Sequence, residues 1–180
     1  MFYSMFDTAY GTCGVVYRSV EEAGVVHIFL PGSKKEIKSR ISILFPESKE
    51  TTSPKIAEII TDITHYLNGT PTTFTTDLLD TSAFYPFQLK VMKTDWKIPR
   101  GKTATYGWIA EQIGTKGVRA VGNANARNPF PIVFPCHRVI RSDRTLGGFG
   151  GGLEMKRRLL EMEGVQFDSQ DRVHSDHIIR

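Results

Sequence analysis

The sequence predicts an α+β protein in two parts, and three observations lead to that reading. β-rich runs with hairpin spacing come first, and amphipathic helices follow. Between residues 78 and 85 the formal charge changes sign. Residues 1–85 carry 7 Lys/Arg against 10 Asp/Glu, residues 86–158 carry 14 against 4, and residues 159–180 carry 2 against 5. A chain of 180 residues can bury one large core or two small ones. The basic middle segment is either a solvated face or the footprint of a polyanion, most simply nucleic acid.

Composition excludes several classes. No apolar run approaches a membrane span, and "MFYSMFDTAYG" lacks the basic flank and apolar stretch of a secretory signal. Cys13 and Cys136 are the only cysteines, too few for a disulfide framework or a thiolate cage. Both are expected reduced, and the protein is expected in the cytoplasm, or the nucleus of a eukaryote. Cys13, His27 and His65 are too scattered to define a metal site. No metal or cofactor is expected.

In order along the chain, "GTCGVVY" and "GVVHIFL" read as a hairpin joined by "RSVEEA". "KKEIKSRISILF" has Ile37, Ile41 and Leu44 at helical spacing and stops at Pro46. "SPKIAEIITDITHYLNG" has a cap in Ser53, Pro54 in its first turn, a stripe of Ile56, Ile59, Ile60, Ile63 and Leu67, and a stop at Gly69. "TPTTFTTDLL" reads as strand-like or extended. Past the boundary, "YPFQLKVMKTDWKIPRG" is a short helix ending before Pro99. Thr105 caps a further helix with Ile109 and Ile113 inside, and Gly114 to Gly117 make a turn. The next helix runs to about Ala126. Two short helices about a glycine turn suggest a helix-turn-helix, although many helical hairpins bind nothing. In the second helix Arg119, Gly122, Asn123 and Ala126 share a face, while Val118 and Val121 can turn inward. Small residues around one arginine permit close approach to DNA.

"NPFPIVFPCHRVIRSD" carries the chemistry. Pro129, Pro131 and Pro135 stiffen the approach to Cys136. His137 is adjacent, and in a strand the two side chains would point to opposite faces; cooperation needs a turn or a bridging water. A thiolate is the nucleophile, so the activated thiol is expected to titrate below the free value of about 8.5. A base of this kind needs an orienting group. In "GGLEMKRRLLEMEG", Glu163 falls on one face with Leu153 and Leu160, beside Leu159. It can point to the core and meet His137, or end the helix in water before Gly164. "TLGGFGGG" is not a phosphate loop, since no Gly-Lys-Ser/Thr follows; Phe149 in it can wall a planar substrate.

"PCHRV" with "NPFPIVF" before it and "LGGFGGGLEMKRRLLEMEG" after it resembles the active-site region of the O6-alkylguanine-DNA alkyltransferases (methylated-DNA–protein-cysteine methyltransferases). "TYGWIAEQIG" and "VRAVGNANARNP" are similar to that family's helix-turn-helix. The likeness covers about residues 82–164; residues 1–80 resemble the family's variable N-terminal domain only in general pattern.

The resemblance implies a ribonuclease-H-like N-terminal domain over 1–80, a winged-helix-like, mostly helical alkyltransferase and DNA-binding domain over 81–168, and a tail over 169–180. It implies a monomer that docks on the minor groove of duplex DNA, flips O6-alkylguanine out of the stack, and takes the alkyl group, chiefly methyl, irreversibly onto Cys136. His137 would be the base through a water, Glu163 its orienting group, and Asn128 the brace of the turn. Arg119 would fill the gap left by the flipped base, with Ala120 and Gly122 against the DNA. Tyr106 would bond the base. The carbonyls of Cys136 and Val139 would accept from its amino group, and the Gly150 N–H would donate to O6. Pro131 and Phe149 would wall the pocket. Many members have tyrosine at position 149, so a hydroxyl is missing here. A DNA-binding regulator with an incidental cysteine, and a cysteine hydrolase using Cys136 and His137, are the rival readings.

Overall fold

The computed structural model describes residues 1–179, which divide into two compact units. The first comprises residues 1–82 together with 129–133. Its sheet has the order β3-β2-β1-β4. β1 (Phe2–Thr8), β2 (Gly11–Ser19) and β3 (Ala23–Gly32) form an antiparallel meander, and β4 (Lys49–Glu50) pairs parallel with β1. The expected hairpin is β2–β3. β1, within "MFYSMFDTAYG", was not anticipated as a strand; tertiary pairing makes it the inner neighbour of β2. At the β1–β2 turn Gly11 lies at φ 119°, and a Cβ there would come within 2.8 Å of the Gly32 carbonyl oxygen. Only glycine fits.

Two helices complete this unit. α1 (Lys34–Leu44) is capped by Ser33, whose hydroxyl accepts from the Glu36 N–H. Its Ile37 and Ile41 pack with Tyr3, Val16 and Phe29 in one core cluster, whereas Leu44 is exposed. α2 (Pro54–Leu67) buries Ile56, Ile59, Ile63 and Leu67 as the stripe predicts, with Ile60 at its edge. Ser53 occupies the cap position but makes no capping hydrogen bond. The expected strand-like or extended run 70–79 forms no ladder; it meets β3 at a single Val25–Leu79 bridge. Its threonines make too few cross-strand contacts to outweigh chain entropy. Residues 129–133 join this unit through the Ile28 N–H to the Pro129 carbonyl, 2.8 Å. Ile132 there has φ 76°, an outlier for a β-branched residue.

The second unit comprises 83–128 and 134–179 of the described residues. Its elements are α3 (Pro86–Asp95), β5 (Ala104–Thr105), α4 (Tyr106–Gln112), α5 (Val118–Ala126), β6 (Val139–Ile140) and α6 (Gly152–Met162), with a 3₁₀ turn at Cys136–Arg138. β5 and β6 pair in parallel. The Thr105 hydroxyl caps α4 by accepting from the Trp108 N–H. Ile109 is buried in α4, but Ile113 is only half-buried at its end.

Two inward assignments are corrected. Val118 is 45% exposed because it starts α5 straight after Gly117, while Val121 one turn later is buried. Leu153 is 56% exposed in the first turn of α6. The inner face of α6 is instead Lys156, Leu159, Leu160 and, one residue past its end, Glu163. The C-terminal segment returns along β5: the Thr103 N–H donates to the His177 carbonyl and the Ile179 N–H to the Thr103 carbonyl. Val173 is buried beside Ile140, Leu160 and Val165. Among the described residues no helix is long and apolar enough to cross a membrane.

Candidate active site

The 3₁₀ turn solves the problem posed by adjacent Cys136 and His137. Its tight pitch directs Cys136 to a pocket of about 410 Å³ and His137 into the core. The pocket is lined by Tyr106, Gly122, Asn125, Ala126, Cys136, Arg141, Gly148, Phe149 and Gly150. Asn128 braces the turn. Its Nδ2 donates to the Phe134 carbonyl at 2.8 Å and to Cys136 Sγ at 3.3 Å.

Behind the turn lies a buried ionic cluster. His137 Nε2 is 3.0 Å from Glu163 Oε1, both side chains being wholly inaccessible. Arg138 closes the other side: its Nε and Nη2 donate to the same carboxylate, and its Nη1 donates to the Ile98 carbonyl at 2.6 Å. Burial opposes ionisation of Glu163, but the hydrogen bond from His137 and the charged fork of Arg138 outweigh it and hold the carboxyl well below its ordinary range. Burial lowers the His137 pKa against the pull of Glu163. The imidazole is therefore neutral, its Nε2–H donates to Glu163, and Nδ1 is its basic nitrogen. The solvated alternative for Glu163 is overturned.

The expected low thiol pKa is also overturned. Burial pushes Cys136 up to about 11, and the Asn128 hydrogen bond and the Lys156 charge only partly offset it. At rest Cys136 is a thiol. Cys13, buried in β2, is pushed up to about 12 by burial, in keeping with a packing role.

Lys156 was missed by sequence reasoning. It is fully buried, and its ammonium donates to the carbonyls of Val139 (2.6 Å), Leu146 and Gly148 (3.5 Å). It ties the glycine-rich loop to the cysteine turn. Burial lowers its pKa to about 8. The available signal was helical spacing: Lys156 precedes Leu159, Leu160 and Glu163 by three, four and seven residues. Asn125 and Asp95, also missed, are buried beside the pocket. Burial holds the Asp95 carboxyl well above its ordinary range, against Lys156 and the Asn125 amide.

The remaining expected residues divide clearly. Tyr106, Gly122, Phe149 and Gly150 line the pocket. Burial raises the Tyr106 pKa, as do nearby Cys136 and Asp95. The Phe149 ring stands edge-on to His137, with centroids 6.3 Å apart. Gly147, at φ 67°, leaves room for Tyr106, since a Cβ would meet that ring at 3.1 Å. Arg119 and Ala120 are exposed on α5, outside the pocket lining. Val139 is buried, and its carbonyl already accepts from Lys156, which leaves one lone pair. Pro131 belongs to the first unit and is not among the lining residues. Among the described residues no group of three or more His, Cys, Asp or Glu could hold a metal ion.

Residues 86–165 match the family described as 6-O-methylguanine DNA methyltransferase, DNA binding domain. A methylated-DNA–protein-cysteine methyltransferase of Methanothermobacter thermautotrophicus is 44% identical over 115 residues, 64% of this chain and 65% of that protein. The Mycobacterium leprae methylated-DNA–protein-cysteine methyltransferase is 46% identical over 113 residues, 61% of this chain and 66% of that protein. The aligned stretch thus spans just under two thirds of the length of these curated relatives. Among solved structures, Mycobacterium tuberculosis OGT in complex with DNA is similar with a TM-score of 0.75 and 30% identity, covering 91% of this chain and 92% of that one. The same organism's O6-methylguanine methyltransferase gives a TM-score of 0.71 and 32% identity, covering 90% and 92%. The pocket thiol, its buried His–Glu–Arg support and this likeness over nine-tenths of the chain converge: the chain belongs to the O6-methylguanine DNA methyltransferase family.

Proposed function

We propose that this protein repairs DNA by moving the alkyl group, chiefly methyl, of O6-alkylguanine onto Cys136. The arrangement that carries the reading is a buried thiol opening on a pocket, braced by Asn128, with a neutral His137 held from behind by Glu163 and Arg138. The thiol proton passes through a water to His137 Nδ1, which makes an imidazolium that Glu163 stabilises. Sγ then attacks the alkyl carbon, the S–C bond forms as the C–O6 bond breaks, and the electron pair passes to the purine. The proton held on His137 returns through the water to the purine, which restores neutral guanine and neutral imidazole. The thioether has no leaving group at hand, so each molecule acts once.

The substrate base is reached by flipping. Extrusion costs a few kcal/mol and is easiest for a damaged, poorly paired base. α5 lies in the minor groove in this reading, with Ala120 and Gly122 near the backbone and Arg119 filling the gap in the stack. Tyr106 and the Gly150 N–H bond the base, the carbonyls of Cys136 and Val139 accept from its amino group, and Phe149 walls it. The domains are 1–80, ribonuclease-H-like, and 81–168, winged-helix-like, with a tail at 169–180. The protein works as a monomer, in the cytoplasm or the nucleus of a eukaryote, without a cofactor.

Intact-mass measurement after mixing with methylated duplex tests the reading. One added methyl, on Cys136 and abolished by Cys136→Ser, is expected. No change would support a binding module, and continued turnover with unmodified protein would support a hydrolase.

A further inference from the structure

Two polar side chains beside the thiol have no part in the reaction as set out. Asp95, the last residue of α3, is fully buried, and Asn125 on α5 lines the Cys136 pocket at 8% exposure. Neither carboxyl oxygen of Asp95 and neither polar side-chain atom of Asn125 has a hydrogen-bond partner of good geometry among the described residues. Each such group costs about 1–3 kcal/mol to bury. The amide nevertheless lies near enough to Asp95 to favour its charged form. Rotating the amide would complete a hydrogen bond between them and turn its other end, inaccessible to water at rest, to the pocket that Asn125 lines.

The charge on Asp95 decides which end that is. Uncharged, its O–H donates to Asn125 Oδ1 and turns the NH₂ to the pocket. Ionised, it accepts from Nδ2 and turns Oδ1 there. Lys156 on α6 and the Asn125 amide favour the ionised form. Tyr106 on α4 and Cys136 on the 3₁₀ turn bring no positive charge, and His137 and Arg138 of that turn are engaged with Glu163. A carboxylate without a formed hydrogen bond in the interior is the costlier state.

A donor suits the substrate. Guanine shows acceptors at O6 and N7, and alkylation at O6 removes the N1 proton, so N7, O6 and N1 are all acceptors and the 2-amino group is the donor that remains. As the alkyl group leaves, that edge gains negative charge, which a preorganised donor stabilises.

We propose that Asn125 donates through Nδ2 to the alkylated edge of the flipped guanine as a specificity-determining residue, and that Asp95, hydrogen-bonded to Asn125 Oδ1, is the positioning residue that turns its amide this way. The proposal rests on the alkyl-transfer reading of Cys136.

Single-turnover transfer from duplex O6-methylguanine at pH 7 tests it, with affinity for the same duplex measured alongside. Asn125→Leu should slow transfer at least about tenfold while affinity moves less than about threefold. Asp95→Leu should fall similarly, and the double variant no further than Asn125→Leu. Asp95→Asn, whose NH₂ can still donate to Oδ1, should fall least. The infrared spectrum of the wild type at pH 7 should show an uncharged carboxylic acid band that Asp95→Asn lacks; this readout stands even where Asp95→Leu does not fold. A wild-type rate in Asn125→Leu, or no such band, would overturn the proposal. Wild type that leaves no methyl on Cys136 would instead overturn the transfer reading itself, before any variant is compared.

Discussion

His137 Nε2 and Glu163 Oε1 stand 3.0 Å apart with both side chains inaccessible to water. The pair fixes the tautomer of the imidazole, and so which nitrogen can take a proton. Arg138, next in sequence, supplies the positive charge that lets Glu163 remain ionised there. Glu163→Gln keeps the shape and removes the charge. It should slow transfer about tenfold or more with little change in DNA affinity, as single-turnover kinetics and titration would show.

The same carboxylate predicts an acid limb. Its folded pKa lies below the ordinary 4.5, so its contribution to stability is present above that pH and is lost as pH falls towards the folded value. Denaturant midpoints should fall below about pH 4.5 more steeply in wild type than in Glu163→Gln. Parallel curves would remove Glu163 as the cause.

The thiols predict an alkaline limb of opposite sense. Cys136 at about 11 and Cys13 at about 12 both lie above the ordinary 9.0. The stability they contribute is whole below pH 9 and is lost as pH rises through the folded values. Alkylation of Cys136 by a small haloacetamide in the absence of DNA should keep rising with pH beyond 9. A plateau near pH 7 would mean a resting thiolate.

Lys156→Met preserves the stem and removes the ammonium that joins the loop at 146–148 to Val139. Three carbonyls lose a donor, so unfolding free energy should drop by about 2 kcal/mol. Transfer should slow as the Phe149 wall loosens. Hydrogen exchange confined to the 146–151 loop would locate the effect; uniform acceleration would not fit.

Arg119 is exposed on α5. If it replaces the flipped base, Arg119→Ala should slow repair of duplex DNA far more than it weakens binding, and should hardly alter reaction with free O6-benzylguanine. A contact to phosphate alone would instead lower the salt slope by about one unit. Equal losses on duplex and free base would assign Arg119 to the pocket.

Local rules sufficed for much of the molecule. The α2 stripe, the Thr105 cap, the stop before Pro99 and the proline-bound Cys-His motif depend on residues within a turn or two of one another, so the sequence by itself determined them. It also placed Glu163 and Asn128 beside the motif through family likeness. Three-dimensional structure decided what adjacency cannot. β1 is a strand because β2 and β4 pair with it. Val118 and Leu153 face solvent because helix ends outrun the packing that their periodicity presumes. The thiol is raised, not lowered, because desolvation depends on everything packed around Sγ, whereas neighbouring basic residues are visible one at a time. Lys156, Asp95 and Asn125, charged or polar in the sequence, became interior only when α3, α5, α6 and the 3₁₀ turn closed over them, and burial is a property of the assembled fold.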